Sequence, residues 1–160
     1  MCSPLPWEAD PDLDTSSMAV VGPLKGAHAA LDLLLEPLFA TAPVGAAELD
    51  VLLKLRVGPQ PTIAVALARA LGRSGAAISK TLAKLDQRGY VTREPNPADR
   101  RAALVRLTEE GTRVVDALIP RQLELEAAAL TNLSAEQRTQ IAAALTTLRD
   151  ALRAAANPQL

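Results

Sequence analysis

Basic side chains are concentrated in the middle of this 160-residue chain, where they could bind a polyanion. From Arg73 to Arg106 there are eight lysines and arginines but only three acids, so this segment carries a net charge of +5. The rest of the chain carries −6, which leaves −1 overall. Because lysine and arginine neutralise phosphates, a basic segment on an acidic frame favours nucleic-acid binding over the alternative of an ordinary solvated surface.

Residues 62–107 predict the elements that would position these side chains. Thr62 is expected to cap a short helix over 63–71, which Gly72 ends as a C-cap glycine. The elements expected after it are a helix over 75–88, a strand over 90–93, a turn over 95–99 and a strand over 103–107. Two short helices followed by a β-hairpin are typical of a winged helix-turn-helix that reads DNA.

The helix over 75–88 has the two faces that DNA reading requires. Ser74 is its predicted N-cap, and Ile78, Leu82 and Leu85 form one narrow apolar stripe. The opposite face is small and polar near its start and basic in its middle: Ala76, Ser79, Lys80, Ala83, Lys84 and Gln87. A helix in the major groove needs little bulk where its backbone meets the bases, with hydrogen-bond donors beside it.

The predicted hairpin presents charged side chains at its tip. Asp99, Arg100 and Arg101 follow the turn residues directly. An arginine at a hairpin tip suits a narrow minor groove, where the negative potential is high. An acid two residues away can pair with that arginine and fix its direction.

Helices on both sides of this module have apolar stripes of their own. The predicted helices are 24–36, ended or kinked by Pro37; 46–57, with Leu49, Leu52, Leu53 and Val57 inward; 109–131, capped by Thr108 and with a possible kink at Pro120; and one from the Ser134-x-x-Gln137 capping box to about 155, with the stripe Ile141, Leu145, Leu148 and Leu152. These stripes exceed what one small module needs, which predicts a partner subunit. The alternative is a monomer that folds the helices back on itself.

Composition limits the class of protein. The chain is 49% apolar but only 2% aromatic, which predicts a mostly α (α+β) fold with a core of aliphatic side chains. The chain has a single cysteine, Cys2, which excludes an internal disulfide and favours the cytoplasm. It has no run of about 18 apolar residues, so no membrane span is predicted. The predicted organisation is a mobile arm over 1–17 that contains Trp7, an N-terminal dimerisation helix within 18–45, a winged domain over 46–107 and C-terminal dimerisation helices over 108–156.

Residues 24–155 resemble the MarR family of bacterial transcription regulators. The most specific part is SGAAISKTLAKLDQRGYVTREPNPADRRAALVRLTEEG at 74–111. It has the family's order of a helix, G-Y-V, a charged wing with D-x-R, an apolar strand and L-T-x-x-G. The stretch ELDVLLKL at 48–55 is similar to the family's second helix.

The resemblance implies a homodimeric repressor that binds double-stranded DNA at a pseudo-palindrome, one winged helix-turn-helix to each half. The DNA-binding residues that it implies are Ser74, Gly75, Ala76, Ser79 and Lys80 near bases or phosphates, Lys84 near phosphates, Arg101 in the minor groove, Asp99 as its positioning partner and Arg100 on the backbone. It also implies a small aromatic or anionic effector, bound between the DNA lobe and the dimer helices, that releases the DNA.

The candidates for effector binding are Asp50 and Arg56, with Lys80 as a further anion partner. Asp50 matches an acid that urate-binding members keep, but Thr81 stands near where those members use an arginine, which disfavours urate. No cysteine lies in the first helix and no Cys/His cluster is present, so peroxide sensing and zinc sensing are disfavoured, and His28 is interpreted as structural. No metal or cofactor is predicted.

Three other functions compete with this interpretation. A non-specific architectural DNA-binding protein could use the same fold, but the mixed small and polar reading face argues against it. A winged-helix protein-interaction module would leave the +5 segment without a purpose. An enzyme is disfavoured because the chain has one histidine, one cysteine, no nucleotide loop and no paired acids in an evident pocket.

Overall fold

The computed structural model describes residues 12–99 and 102–156, and within them the chain is mostly helical with one small sheet. This confirms the predicted fold class. The elements in chain order are α1 (Met18–Ala40), α2 (Ala46–Val57), β1 (Thr62–Ile63), α3 (Ala64–Leu71), α4 (Gly75–Gln87), β2 (Val91–Pro95), β3 (Ala103–Leu107), α5 (Glu109–Ala129) and α6 (Ala135–Ala156).

The three strands form an antiparallel sheet with β3 in the centre, in the order β1-β3-β2. The β2–β3 hairpin is paired from Val91 opposite Leu107 to Pro95 opposite Ala103. Thr62 belongs to β1 and lies opposite Val105 of β3, so its prediction as a helix cap was wrong. Its backbone is taken up by strand pairing, and α3 begins after Ile63 without a side-chain cap.

The chain divides into two compact units, one ending at Gln122 and the other beginning at Leu123. The first unit contains every buried side chain of the described residues. Its centre is made by α2, α4, the sheet and the first half of α5: Leu49, Val51, Leu52, Leu55, Ile78, Leu82, Leu85, Val91, Val105, Val114, Val115 and Leu118. The apolar stripe predicted for α4 is therefore confirmed.

Two predictions for the helices before the module were wrong in part. Helix α1 runs from Met18 to Ala40, longer at both ends than predicted, and it continues through Pro37. A proline this close to the end of a helix removes only one main-chain hydrogen bond of the last turns. Helix α2 has the predicted bounds, but Val57 at its end is 72% exposed and Val51 and Leu55 are buried instead. Helix α2 is buried on more than one face, so a single apolar stripe could not predict all of its buried residues.

The second unit is built around α6. Its start is the predicted capping box: the Ser134 amide donates to Gln137 Oε1 at 2.8 Å, and the Gln137 amide donates to Ser134 Oγ at 3.1 Å. None of the residues described in α6 is buried. The predicted stripe is present, but within one chain Ile141, Leu145 and Leu152 are 45%, 48% and 48% exposed.

Helix α1 is long and apolar, with an 18-residue window of mean hydropathy 1.3, of which 6% is buried. By length and composition alone such a helix could cross a membrane. A signal sequence near the N-terminus and a helix of a soluble protein pass the same test. Lys25, Asp32 and Glu36 interrupt its sequence, and charged groups of this kind are costly inside a bilayer.

Candidate DNA-binding surface

The start of α4 is an exposed turn of small residues. Ser74 has extended backbone angles, and its Oγ accepts a hydrogen bond from the Ala77 amide at 3.2 Å, which confirms the predicted cap. Gly75 and Ala76 are exposed, and the first turn contains no acid. The free main-chain N–H groups of a helix start attract phosphate, and nothing bulky or acidic here opposes that approach.

The outer face of α4 carries the other residues of this helix that were predicted to contact DNA. Ser79, Lys80 and Lys84 are exposed, on the side away from the fully buried stripe. Thr81 is half-buried, and its hydroxyl donates to the Ala77 carbonyl at 3.0 Å. The helix therefore has one face anchored in the core and one face with hydrogen-bond donors in solvent.

The β2–β3 hairpin forms the wing. Near its tip, the Ala98 amide donates to Asn96 Oδ1 at 3.0 Å and the Ala102 amide donates to the Asp99 carbonyl at 3.0 Å. Asp99 is exposed. Arg100 and Arg101, the predicted backbone and minor-groove contacts, lie outside the described residues, so their roles stay predictions.

The wing is fixed at its base by Thr108 and Gly111. Thr108 Oγ1 donates to the Gly89 carbonyl at 2.8 Å and accepts from the Gly111 amide at 3.0 Å, so one hydroxyl caps α5 and joins it to the turn after α4. A Cβ on Gly111 would lie 2.2 Å from the Tyr90 carbonyl oxygen. Glycine is required by this close approach, which gives the L-T-x-x-G motif a structural reason that its sequence did not reveal.

A glutamine that sequence reasoning missed connects α2 to the wing. Gln60 Nε2 donates to the Leu55 carbonyl at 2.8 Å, and Gln60 Oε1 accepts from the Leu107 amide at 2.8 Å. One amide side chain thereby satisfies a carbonyl at the end of α2 and an N–H at the end of β3. No pattern in the sequence marks such a bridge, because its partners are backbone groups.

Arg88 is counted in the basic segment, but its guanidinium turns toward the protein. It pairs with Glu48 on α2, and Nη1 donates to the Pro43 carbonyl at 2.7 Å. Its Cζ lies 5.6 Å from the centre of the Tyr90 ring. Burial opposes ionisation of Glu48, but the Arg88 hydrogen bond, the Gly45 amide and the charges of Arg88 and Lys84 outweigh it and hold the pKa of Glu48 below its ordinary value.

Arg73 is likewise engaged within the protein, through a 2.7 Å contact of Nη2 with Asp50 Oδ2. Two of the eight basic residues therefore have acid partners on α2, and counting those two acids lowers the local charge from +5 to +3. The positive charge that faces solvent on α4 comes from Lys80 and Lys84, and one exposed acid, Asp86, lies near the end of the helix. Sequence counting missed this pairing because the acids lie more than twenty residues earlier in the chain.

The structure places the two effector candidates in ion pairs. Asp50 pairs with Arg73, and Arg56 Nε contacts Asp116 Oδ1 at 3.2 Å. All four side chains are between 39% and 55% exposed, so an anion could reach either arginine only in competition with its acid. Asp50 and Arg56 therefore have different ion-pair partners, one directly before the Ser74 cap and one on α5.

An open groove of about 460 Å³ runs along the end of α1. Its lining is mainly apolar and includes Leu33, Leu35 and Phe39, with the acids Asp32 and Glu36. Two acids make the groove unsuited to an anion. Among residues 12–99 and 102–156, no group of three or more His, Cys, Asp or Glu side chains is placed to hold a metal ion.

The sequence and fold of this chain are similar to those of known regulators. Residues 43–102 match the MarR family. The HTH-type transcriptional regulator PecS of Dickeya dadantii is 30% identical over 137 residues, which is 84% of this chain and 82% of PecS.

Two solved structures are also similar. The PcaV transcriptional regulator from Streptomyces coelicolor, in complex with its natural ligand, has a TM-score of 0.74 and 25% identity, covering 90% of this chain and 99% of PcaV. A mutant MarR from E. coli, complexed with operator DNA, has a TM-score of 0.72 and 26% identity, covering 85% of this chain and 99% of MarR.

Proposed function

We propose that this chain, which belongs to the MarR family of transcription regulators, is a homodimeric repressor whose DNA affinity is lowered by a small effector. As a member of that family it is a DNA-binding transcriptional regulator. The observation that carries the proposal is the division of α4 into a fully buried stripe and an exposed face of small residues and lysines. A helix anchored in this way can enter the major groove without disturbing the core.

In this proposal α4 is the recognition helix. Ser74, Gly75 and Ala76 approach the DNA through the start of the helix, where small side chains allow the backbone close to it. Ser79 and Lys80 donate to base edges or phosphates, and Lys84 donates to phosphates. Base contacts then set the sequence preference, while phosphate contacts supply position and affinity.

The wing supplies a second contact. We propose that Arg101 enters the minor groove, that Asp99 positions it, and that Arg100 contacts the backbone, as the resemblance implies. Replacing Arg101 by alanine is expected to weaken operator binding by about 1–3 kcal/mol, the size of a good groove contact. Operator binding by Arg101→Ala at wild-type strength, measured by fluorescence anisotropy, would remove the wing from the proposal.

Self-association is proposed from exposed apolar helices. Leu33 on α1 is 70% exposed and lines the groove, and the α6 stripe is nearly half exposed. Exposed apolar surface of this kind, present on each of these two helices, marks an interface, and the second copy of the chain is the occupant that a family of dimers implies. Two copies would present their recognition helices about 34 Å apart, one turn of DNA.

Control by an effector is proposed because the two recognition helices of a dimer must keep one spacing to bind both halves of the DNA site. A ligand that binds better to another spacing lowers DNA affinity by the same factor by which DNA lowers ligand affinity. The PcaV structure in complex with its natural ligand supports control by a ligand. A small aromatic or anionic molecule, as the resemblance implies, is the class to test. The test is a screen of such molecules for loss of operator binding by a protein that stays folded and dimeric.

We place this activity in the cytoplasm, where bacterial operators are, and we propose no catalytic role. The first experiment is an anisotropy titration with a duplex from the gene's own upstream region and with its scrambled form, at two salt concentrations. Much tighter binding to the upstream duplex, with a steep salt slope, is expected. Equal binding to both duplexes would favour an architectural protein, and no binding by a folded dimer would favour an interaction module.

A further inference from the structure

An arginine stands at each end of α4, and both arginines pair with the same helix. Arg73 directly precedes the Ser74 cap, and Arg88 directly follows the last residue of α4. Their partners, Asp50 and Glu48, are two residues apart on α2. We propose that the two ion pairs brace both ends of α4 against α2, and that this double brace sets the angle at which α4 meets DNA.

The brace at the end of α4 joins three segments through one guanidinium. Arg88 reaches the Glu48 carboxylate on α2 and the Pro43 carbonyl in the segment between α1 and α2, and it lies over the Tyr90 ring at the start of the wing. The Glu48 side chain is 14% exposed, so water competes little for it. Charge-assisted hydrogen bonds from a planar guanidinium are directional, and they fix orientation as well as distance.

The brace at the start of α4 is more exposed. The Arg73 side chain is 39% exposed and that of Asp50 is 48% exposed. The Arg73 amide also donates to the Ala68 carbonyl at 3.0 Å, which ties the same residue to α3. This brace is therefore weaker than that of Arg88, but it holds the turn from which the Ser74 cap begins.

The braces supply what the buried stripe of α4 does not. Ile78, Leu82 and Leu85 hold the helix on the core by apolar contact, which is stabilising but non-directional. A helix held only by such a stripe can roll or slide by small amounts at low cost. Directional bonds at both ends oppose those motions, so the positions of Lys80 and Lys84 relative to α2 become defined.

The inference rests on the proposed function, and its test exploits the sign of a charge. Replacing Glu48 by glutamine or Asp50 by asparagine removes a negative charge, so electrostatics alone predicts equal or tighter binding to every DNA. Loss of a brace predicts weaker binding to the operator only. Glu48→Gln keeps an acceptor for the Gly45 amide, so the start of α2 is preserved. Glu110→Gln is the matched control, since Glu110 pairs with Arg113 on α5 and touches neither brace.

The measurement is the ratio of operator to scrambled affinity by anisotropy, with a thermal melt of each variant. We expect the ratio to fall about tenfold in Glu48→Gln and about threefold in Asp50→Asn, and to stay unchanged in Glu110→Gln. Arg88→Lys keeps the charge but not the planar donors, so it should lower the ratio without changing the salt slope.

The proposed brace fails if Glu48→Gln and Asp50→Asn both keep the wild-type ratio, as the control does. If Glu48→Gln proves unstable, Asp50→Asn still tests the brace, because it alters an exposed pair. A wild-type protein with no preference for the operator would instead overturn the proposed function. The role proposed for the braces in reading DNA would then fail as well.

Discussion

The two units of the chain treat their apolar side chains in opposite ways. In the unit that ends at Gln122, Leu52, Ile78 and Leu82 are fully buried. In the unit that begins at Leu123, none of the described residues of α6 is buried, and Leu145 is 48% exposed. Because apolar area stabilises a fold only when it is removed from water, the first unit is stabilised by a core of its own, although α1 leaves Leu33 exposed, whereas the apolar stripe of α6 needs another surface.

The largest expected effect tests the core of the first unit. Leu82→Ala removes three carbons from a site with no exposed area, and it should lower the free energy of unfolding by about 2–5 kcal/mol through lost transfer energy and a cavity. Urea denaturation followed by circular dichroism measures it. Val57→Ala is the control: Val57 is 72% exposed, so its truncation should change stability little. Equal losses in both variants would mean that burial does not separate these sites.

The second prediction concerns the exposed stripe of α6. Leu145→Asp places a charge in the proposed interface and should raise the dimer dissociation constant by at least about a hundredfold, because an unpaired charge is costly to bury. Analytical ultracentrifugation over a concentration series measures it. Thr146→Asp adds the same charge at the next position, off the stripe, and should leave the dimer intact. If Leu145→Asp dimerised like wild type, α6 would not be the interface.

The fold was predictable where one chain segment decides its own structure. Ser74 capped α4 as predicted, and Ile78, Leu82 and Leu85 were buried as their spacing required. Thr62 was wrong because strand pairing with β3, more than forty residues away, overrode a local capping preference. Long-range pairing of this kind leaves no signal in a single short window of sequence.

The candidate site was predictable in its residue types but not in its electrostatics. Lys80 and Lys84 lie on the exposed face as predicted. Arg73 and Arg88 were counted with them, but their acid partners on α2 become neighbours only after folding. Gly111 appeared only as part of a motif, since its requirement comes from the approach of the Tyr90 carbonyl.

Gly111 allows a third test, of the packing inside the first unit. In Gly111→Ala the new Cβ would lie 2.2 Å from the Tyr90 carbonyl oxygen and 2.7 Å from Leu107 Cδ1, so backbone must move. We expect a loss of about 1–3 kcal/mol of stability, as for other overpacked sites. Gly26→Ala on α1 is the control, because a Cβ there meets nothing within 4 Å and alanine favours a helix. A Gly111→Ala variant as stable as Gly26→Ala would contradict the packing at the base of the wing.

The smallest expected effect is on the pH dependence of stability, which should differ between an ion pair of the first unit and one of the second. The folded protein holds the pKa of Glu48 below its ordinary value of 4.5, so the Arg88 pair contributes stability above that pH and loses it as pH falls through the lower folded-state pKa. Asp150, with its pKa lowered by a hydrogen bond from Arg149, is exposed on α6, where solvent screens the pair.

Glu48→Gln should therefore reduce stability at neutral pH and flatten its dependence on pH below 4.5, whereas Asp150→Asn should change both little. Urea midpoints at neutral and acidic pH measure this. If Asp150→Asn altered the acid dependence as much as Glu48→Gln, the pair on α6 would be as well shielded from water as the Glu48–Arg88 pair. The second unit would then bury polar as well as apolar groups against its partner, and its interface would be a folding core shared by two chains.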